Sequence, residues 1–363
     1  MNKKIAVGIL GATGMVGQHY LRLLENHPWF EVTYLAASSH SAGLKYRDAL
    51  KQGWHASGDM PAAQADRLVH DVADIKAARN QCAFVFSAFD MPDKDAVRAA
   101  ENEYAQHMPV FSNASAHRSS PDVPMIIAEI NPGHLSIIPQ QQQKREWKGF
   151  IVVKPNCSLQ SYLTPLYALM KAGYAIDRVA VTTLQAVSGA GYPGVPTLDM
   201  IDNVVPFISG EEEKTECEPL KILGDLVDES FVPYEGIRIS AHCNRVPVTD
   251  GHLANVMIGF KDKKPSRDDI ISIWKSFSAE PQTLDLPMAP RQAIIYLDQA
   301  NRPQPKRDRD SDKGMAVSVG RLRPCPLLDY KFSALSHNTV RGAAGGGILN
   351  AELAFKKMPH AFA

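Results

Sequence analysis

The stretch GILGATGMVG, residues 8–17, carries glycines at 8, 11, 14 and 17, three residues apart. It follows an apolar run, Lys4 to Leu10, that reads as a buried strand. It leads into Met15 to Asn26, where Val16, Tyr20, Leu23 and Leu24 share one helical side. Glu31 to Ala37 reads as the next strand, so the three segments make a βαβ unit. Glycines at such a turn let backbone amides approach a pyrophosphate, and the helix N-terminus favours its negative charge. A tight turn with no ligand is the plain alternative. The strand-loop-helix setting favours dinucleotide binding, with Gly11, Ala12, Thr13, Gly14, Met15 and Val16 as the contacts.

The alternation continues with strand-like runs at Arg67 to His70, Ala83 to Ala88 and Pro109 to Ser112 around a helix over Asp93 to Gln106. This is the pattern of an α/β, Rossmann-like, doubly wound parallel sheet. The second strand ends YLAASSH, residues 34–40, without the acidic residue that would hydrogen-bond an NAD ribose. Ser38 and Ser39 instead offer donors to a 2′-phosphate, with His40 or Lys45 adding charge, so NADP is expected over NAD. Simple turn residues are the alternative.

After Cys157 the order changes. Runs at Val179 to Val187, Gly236 to Val246, Asn255 to Phe260, Met315 to Leu322 and Tyr330 to Leu335 alternate with few helix candidates. They predict an α+β domain on a mostly antiparallel sheet. The expected division is residues 1–156 and 157–341, with a helix over about 342–363 returning to the first domain. PQQQQKREWKG (139–149) and NRPQPKRDRDSDKG (301–314) both read as solvated loops.

The 363 residues are 45% hydrophobic and 21% charged, enough for two cores. Thirty-nine basic residues balance thirty-nine acidic ones, so no net field favours nucleic acid or an anionic membrane, and a small-molecule partner is expected. The lysines and apolar run at the N-terminus are interrupted by glycines and are not read as a signal peptide; no stretch is long enough to span a bilayer. A cytoplasmic protein is expected. Its five cysteines are scattered, without CxxC pairs, which argues against disulfides and structural zinc.

One cysteine stands apart. In KPNCSLQ, residues 154–160, Cys157 lies between an apolar strand, Phe150 to Val153, and a helix candidate from Ser158 to Met170. A helix beginning there would place the thiol at the positive end of its dipole and favour thiolate, the attacking form. An inert buried thiol is the alternative. RVPVTDGH (245–252) supplies Arg245, able to clamp a carboxylate, and His252, able to move protons; the plain reading is a surface pair. A metal site built on His242, Cys243 and His252 lacks a fourth ligand, so no metal is expected. The combination suggests a thiolate attacking an acyl group, followed by hydride reduction of the thioester.

These motifs, with AASSHSAGLKY (36–46), SNASAHR (112–118), LQAVSGAGYPG (184–194), EEEKTECEPLKIL (211–223) and HNTVRGAAGG (337–346), resemble the aspartate-semialdehyde dehydrogenases of archaeal and fungal type over nearly the whole chain. The resemblance implies Cys157 as nucleophile, with Asn156 beside it, Gln185 orienting the acyl intermediate and His252 as acid/base. It implies Arg245 on the substrate carboxylate, Glu211 on its amino group, and Arg118 and Lys214 on phosphate. Ser188, Gly189 and Asn338 would line the cofactor. It further implies NADPH-dependent reduction of L-aspartyl phosphate toward lysine, methionine and threonine, by a homodimer or homotetramer. His40 stands where relatives often have arginine, which bears on the cofactor, and Leu159 where threonine or isoleucine is common.

Three rivals remain at this point. A malonyl-CoA reductase would keep the cysteine but need Glu211 less. N-acetyl-γ-glutamyl-phosphate reductase resembles PNCS and EEEK less well. A non-catalytic NADP-binding sensor would have no use for the nucleophile and base.

Overall fold

In the computed structural model, which describes residues 4–51, 53–89, 91 and 93–362, the glycine run is the turn between the first strand and the first helix. Strands β1 (Ile5–Leu10), β2 (Phe30–Ala37), β3 (Val69–Asp71), β4 (Phe84–Ser87), β5 (Val110–Ser112) and β6 (Ile151–Val153) form one sheet in the order β3-β2-β1-β4-β5-β6. Every pairing in it is parallel. The order reverses between β1 and β4, and such a switch point opens a crevice at the carboxyl ends of the strands. Helix α1 (Met15–Leu24) starts there.

Two glycines make the turn possible. Gly11 has φ +76°, and a Cβ on it would sit 2.8 Å from the Ala88 carbonyl oxygen. A Cβ on Gly17 would come within 2.2 Å of the Gly11 carbonyl oxygen, so only glycine lets the helix close on the loop. Tyr46 Oη donates to the Ala12 carbonyl at 2.9 Å and Gln18 Nε2 to that of Thr13 at 3.1 Å, which fixes the loop from both sides.

Helix α2 (Lys94–Ala105) is capped by Asp93, whose carboxylate accepts from the Asp95 and Ala96 amides. Residues 139–149 correct the sequence reading: they contain a helix, α3 (Ile138–Arg145), rather than only a solvated loop. Its anchor is polar, which is why hydrophobic spacing did not show it. Buried Gln141 donates to the Asp122 and Ile151 carbonyls at 2.8 and 3.1 Å and accepts from the Ile151 amide at 2.7 Å. One side chain thereby satisfies Ile151 on the edge strand β6, while Val153 pairs with the Pro124 carbonyl and the Ile126 amide.

The second sheet contains β7 (Ile176–Gln185), then, after the small hairpin β8 (Asp225–Val227) and β9 (Ser230–Val232), β10 (Arg238–Arg245), β11 (His252–Phe260), β12 (Ile294–Leu297), β13 (Val317–Pro324) and β14 (Tyr330–Ser336). Its order is β10-β7-β11-β14-β13-β12. The central pairings are antiparallel and the two outer ones parallel, so the sheet is mixed with an antiparallel middle. One face is covered by α4 (Leu163–Lys171) and, after α5 (Glu211–Leu223), by α6 (Arg267–Ser276), where fully buried Trp274 donates to the Pro165 carbonyl at 2.9 Å. The other face carries Thr182, His242, Asn255, Arg323 and Lys331 around a shallow cleft.

The segment 301–314 also departs from a plain loop, with a helical turn at Pro305–Asp308. Asp308 is buried, because Arg302 and the Gln304 amide both donate to its carboxylate. Finally, α7 (Gly345–Lys357) and the turn after it return to the first sheet, where the Phe362 ring meets Phe84 at 5.3 Å. Buried Glu352 on α7 pairs with His27 at 2.6 Å. No helix among the described residues is long and apolar enough to cross a membrane.

Candidate active site

Strand β6 ends where Pro155 removes a donor, and the chain turns through Asn156 to Cys157. The single helix expected from Ser158 is instead a four-residue 3₁₀ turn, Ser158–Ser161, followed by α4 from Leu163. So short a turn gathers little dipole, which corrects the expectation of a thiolate held by a helix terminus. Burial, and then Glu211, push the Cys157 thiol above its ordinary value, against Lys154, Arg118 and Arg245.

His252 opens β11 and is fully buried, as is almost all of Arg245 at the end of β10, so the plain reading of a surface pair is overturned. The His252 Nε2 lies 3.3 Å from Cys157 Sγ. The Ala186 amide donates to its Nδ1 at 3.1 Å, so the ring proton resides on Nε2, facing the sulfur. Burial, then the charges of Arg245, His337 and Lys154, hold this imidazole well below its usual pKa, and it stays neutral. Arg245 Nη1 donates to the Ala186 carbonyl at 2.8 Å. Gly189 allows this packing: a Cβ there would fall 2.8 Å from Arg245 Nη1 and 3.0 Å from the His252 ring.

The opposite wall is one face of α5. Glu211 accepts from Asn156 Nδ2 at 2.7 Å, Gln185 Nε2 at 3.2 Å and Lys214 Nζ at 3.1 Å. Burial raises its pKa, but the Asn156 bond, Lys214 and Gln185 more than offset this, and the carboxyl is held below the usual range. Two turns on, Glu218 pairs with Arg118 at 2.9 Å and accepts the Asn156 amide at 2.6 Å. Lys221 donates to the Arg118, Ser120 and Val123 carbonyls at 2.8 to 2.9 Å. The helix thus holds both the arginine loop and the residue before the nucleophile.

A cavity of about 250 Å³ unites these parts, lined by Cys157, Asn156, Arg118, Glu211 and Lys214 together with Met15, Val16, Ser188, Gly189 and Asn338. Gln185, Arg245 and His252 stand behind its wall rather than on its lining. Asn338 closes the roof, donating to Ser188 Oγ and accepting the Gly251 amide, each at 2.8 Å. A Cβ on Gly342 would press within 2.9 Å of Cys157 Cβ, so the segment leading to α7 seals the nucleophile's back. A second cavity of about 590 Å³ adjoins the first through Met15, Ser188 and Gly191.

Toward a dinucleotide the fit is a cradle of backbone: the first-turn amides of α1 have no intrahelical partner, and the glycines leave them uncovered. Ser38 and Ser39 are exposed after β2 and lie apart from both cavities. Lys45 is ion-paired to Asp66 at 3.0 Å, and Arg47 joins the same carboxylate at 2.7 Å. Among the described residues, no cluster of His, Cys, Asp or Glu could hold a metal.

Sequence reasoning missed two residues. Glu218 was recoverable, since it lies seven residues after Glu211 on the same helical face. Lys154, buried in the cavity wall, gave no signal beyond its nearness to Cys157.

Two family models match the chain: the semialdehyde dehydrogenase NAD binding domain over residues 6–138 and the semialdehyde dehydrogenase dimerisation domain over residues 166–341. An aspartate-semialdehyde dehydrogenase of Methanothermobacter thermautotrophicus is 47% identical over 354 residues, covering 96% of this chain and 98% of the relative. One from Aspergillus fumigatus is 44% identical over 360 residues, covering 96% and 97%. Among solved structures, the Candida albicans aspartate-semialdehyde dehydrogenase with NADP has a TM-score of 0.87 at 40% identity, over 97% of this chain and 98% of the other. By these matches, which run through both sheets and across the cavity between them, the chain belongs to the aspartate-semialdehyde dehydrogenase family.

Proposed function

We propose that this chain catalyses the NADPH-dependent reductive dephosphorylation of L-aspartyl-4-phosphate to L-aspartate 4-semialdehyde. The observation that carries this reading is the arrangement of charge around Cys157: Arg118 and Lys214 for phosphate and Glu211 for an ammonium line the cavity, and Arg245, assigned to the carboxylate, stands behind its wall. Those complement the charges of an aminoacyl phosphate. Cys157 Sγ attacks the acyl carbon and phosphate leaves, with Asn156 and Gln185 orienting the resulting thioester through their shared partner Glu211. NADPH, when bound, supplies a hydride to the thioester carbon. His252 donates an Nε2–H hydrogen bond to the developing oxyanion and keeps that proton as the carbon–sulfur bond breaks, the aldehyde forms and the Cys157 thiolate is released. Glu211, held anionic, favours the amino-acid substrate over malonyl-CoA.

The residues assigned to the cofactor are Gly11 to Val16, Ser188, Gly189 and Asn338, with Ser38 and Ser39 at the 2′-phosphate. Residues 1–156 form the cofactor domain, with 342–363 packed back on it, and 157–341 the catalytic and dimerisation domain; positions 1–3, 52, 90, 92 and 363 lie outside the described residues. A second copy of the chain covers the polar face of the second sheet, giving a homodimer or homotetramer in the cytoplasm. The test is reduction of NADP, and separately NAD, by purified protein given L-aspartate semialdehyde with and without phosphate, with malonate semialdehyde plus CoA as control. Strict dependence on phosphate and on the amino-acid aldehyde is expected; activity only with CoA overturns the reading.

A further inference from the structure

Strand β10 is an outermost strand of the second sheet, with β7 on one side only. A strand presents its amides alternately to its two flanks, so those on the open side of β10 need acceptors from elsewhere. The amides of Ala241, Cys243 and Arg245 all find one. Ala241 donates to Glu216 Oε1 at 3.0 Å, Cys243 to Glu212 Oε1 at 3.0 Å, and Arg245 to the Val205 carbonyl at 2.8 Å. Over two of these three positions α5 therefore takes the place of a missing strand. The spacings match. Residues four apart on a helix are separated by about 6 Å along its axis, and residues two apart on a strand by about 6.6 Å. Glu212 and Glu216 meet Cys243 and Ala241 one for one, with the helix running opposite to the strand.

Neither glutamate lines the cavity around Cys157, and both are half-buried. Their helix nevertheless supplies that cavity with Glu211 and Lys214, and it holds Arg118 through Glu218. Their strand partner ends in Arg245. The two carboxylates thus tie the helix that bears the ammonium and phosphate groups' partners to the strand that bears the carboxylate's partner. Between them Thr215 is buried, with Oγ1 3.4 Å from Ser158 Oγ and 3.7 Å from Cys243 Sγ. These are longer contacts than those the two glutamates make.

We propose that Glu212 and Glu216 are positioning residues that set substrate specificity: by docking α5 on the edge of β10 they hold Glu211 and Lys214 at a fixed span from Arg245. The site then reads an ammonium and a phosphate at one distance from a carboxylate. The specificity half of this inference rests on the substrate reading above. Both residues act by accepting hydrogen bonds through a side-chain oxygen, which glutamine keeps and alanine lacks.

The test compares wild type with Glu212→Ala and Glu216→Ala, singly and together, and with the pair Glu212→Gln and Glu216→Gln. Rates are measured with phosphate, NADP and L-aspartate semialdehyde, and thermal melts establish folding. Succinate semialdehyde, the same aldehyde without its ammonium, serves as a competitive inhibitor. In the double alanine variant KM for L-aspartate semialdehyde should rise about tenfold and KM for phosphate about fivefold, with about threefold in each single variant. The Ki of succinate semialdehyde and the affinity for NADPH should both stay within about twofold. The glutamine pair should match wild type within about twofold throughout. Loss of folded enzyme alone lowers the apparent kcat and moves none of these constants, so unchanged KM values in the alanine variants overturn the proposal. A parallel rise of KM and Ki overturns the specificity role, and a glutamine pair as impaired as the alanine pair overturns the acceptor role.

A second arm needs no substrate: hydrogen–deuterium exchange of peptides covering 238–245. Exchange should quicken at least about tenfold in the double alanine variant and not in the glutamine pair. Unchanged exchange overturns the docking. Absence of phosphate-dependent turnover in wild type instead overturns the specificity role together with the substrate reading, and exchange then decides the docking by itself.

Discussion

The dinucleotide cradle and the wall around Cys157 face the same cavity but are built in opposite ways. The cradle is contiguous: strand, glycines and helix within residues 5–24, specified by the absence of side chains. The wall is assembled from segments far apart in the chain, Lys154 to Cys157, Gln185 to Gly189, Glu211 to Glu218, Arg245 to His252 and Asn338 to Gly342. A contiguous site can fail without disturbing its neighbours. A wall that shares hydrogen bonds fails as a unit.

The sharpest test of that difference is Cys157→Ala, which should lower turnover by at least about 10³-fold while leaving dinucleotide affinity within about twofold. Equilibrium titration of NADPH fluorescence beside the rate assay reads both. A variant with wild-type rates would remove Cys157 from the mechanism.

Next in size is Glu218→Ala. It strands the Arg118 guanidinium and the Asn156 amide together, and should cost about 3 kcal/mol of stability, the lower end expected for breaking a buried pair. Turnover should fall alongside, since the arginine loop and the nucleophile's turn lose one common anchor. Urea unfolding monitored by fluorescence measures the loss; a change under about 0.5 kcal/mol would mean that the wall does not act as a unit.

Gly17→Ala attacks the cradle instead. Its Cβ would meet the Gly11 carbonyl oxygen at 2.2 Å, so the loop must shift, at a cost of about 1–3 kcal/mol. Dinucleotide affinity should drop by about tenfold or more, while Cys157 alkylation keeps the wild-type rate. If labelling also slowed, the two regions would not be separable.

The smallest effect concerns pH. Glu101 on α2 is buried, accepts from Ser87 and Ser112, and is raised by burial to about 7. Its unfolded carboxyl ionises near 4.5, so its contribution to stability is full below that value and is lost as pH rises toward 7. His117, 3.9 Å away and lowered by burial to about 4, works in the opposite sense and loses stability as pH falls from 6.5. Glu101→Gln removes the first dependence alone, at most about 1.4 kcal/mol per pH unit. Urea midpoints at pH 5, 6 and 7 should therefore decline less than in wild type.

Much of the fold was legible because parallel strands buried on both faces read as apolar runs, and α2 carries its own Asp93 cap. Helix α3 was not legible, because its buried residue is glutamine and its reward is a strand edge elsewhere. In the same way Asp308 looked solvated within a charged run, although Arg302 and the Gln304 amide draw it inside. Polar burial depends on partners, and partners are long-range facts.

By itself, the sequence determined the βαβ start, the glycine turn, the reversal of a parallel sheet and the identities of Cys157, Arg245 and His252. Only the tertiary structure decided their chemical states. The Ala186 amide, 66 residues from His252, puts the ring proton on Nε2. Glu218, 100 residues from Arg118, binds that arginine and the turn before Cys157 at once. Burial without a carboxylate partner brings Lys154 near neutrality. The reason is physical: residue type sets which protons can move, while desolvation and the partners brought by folding set where they rest.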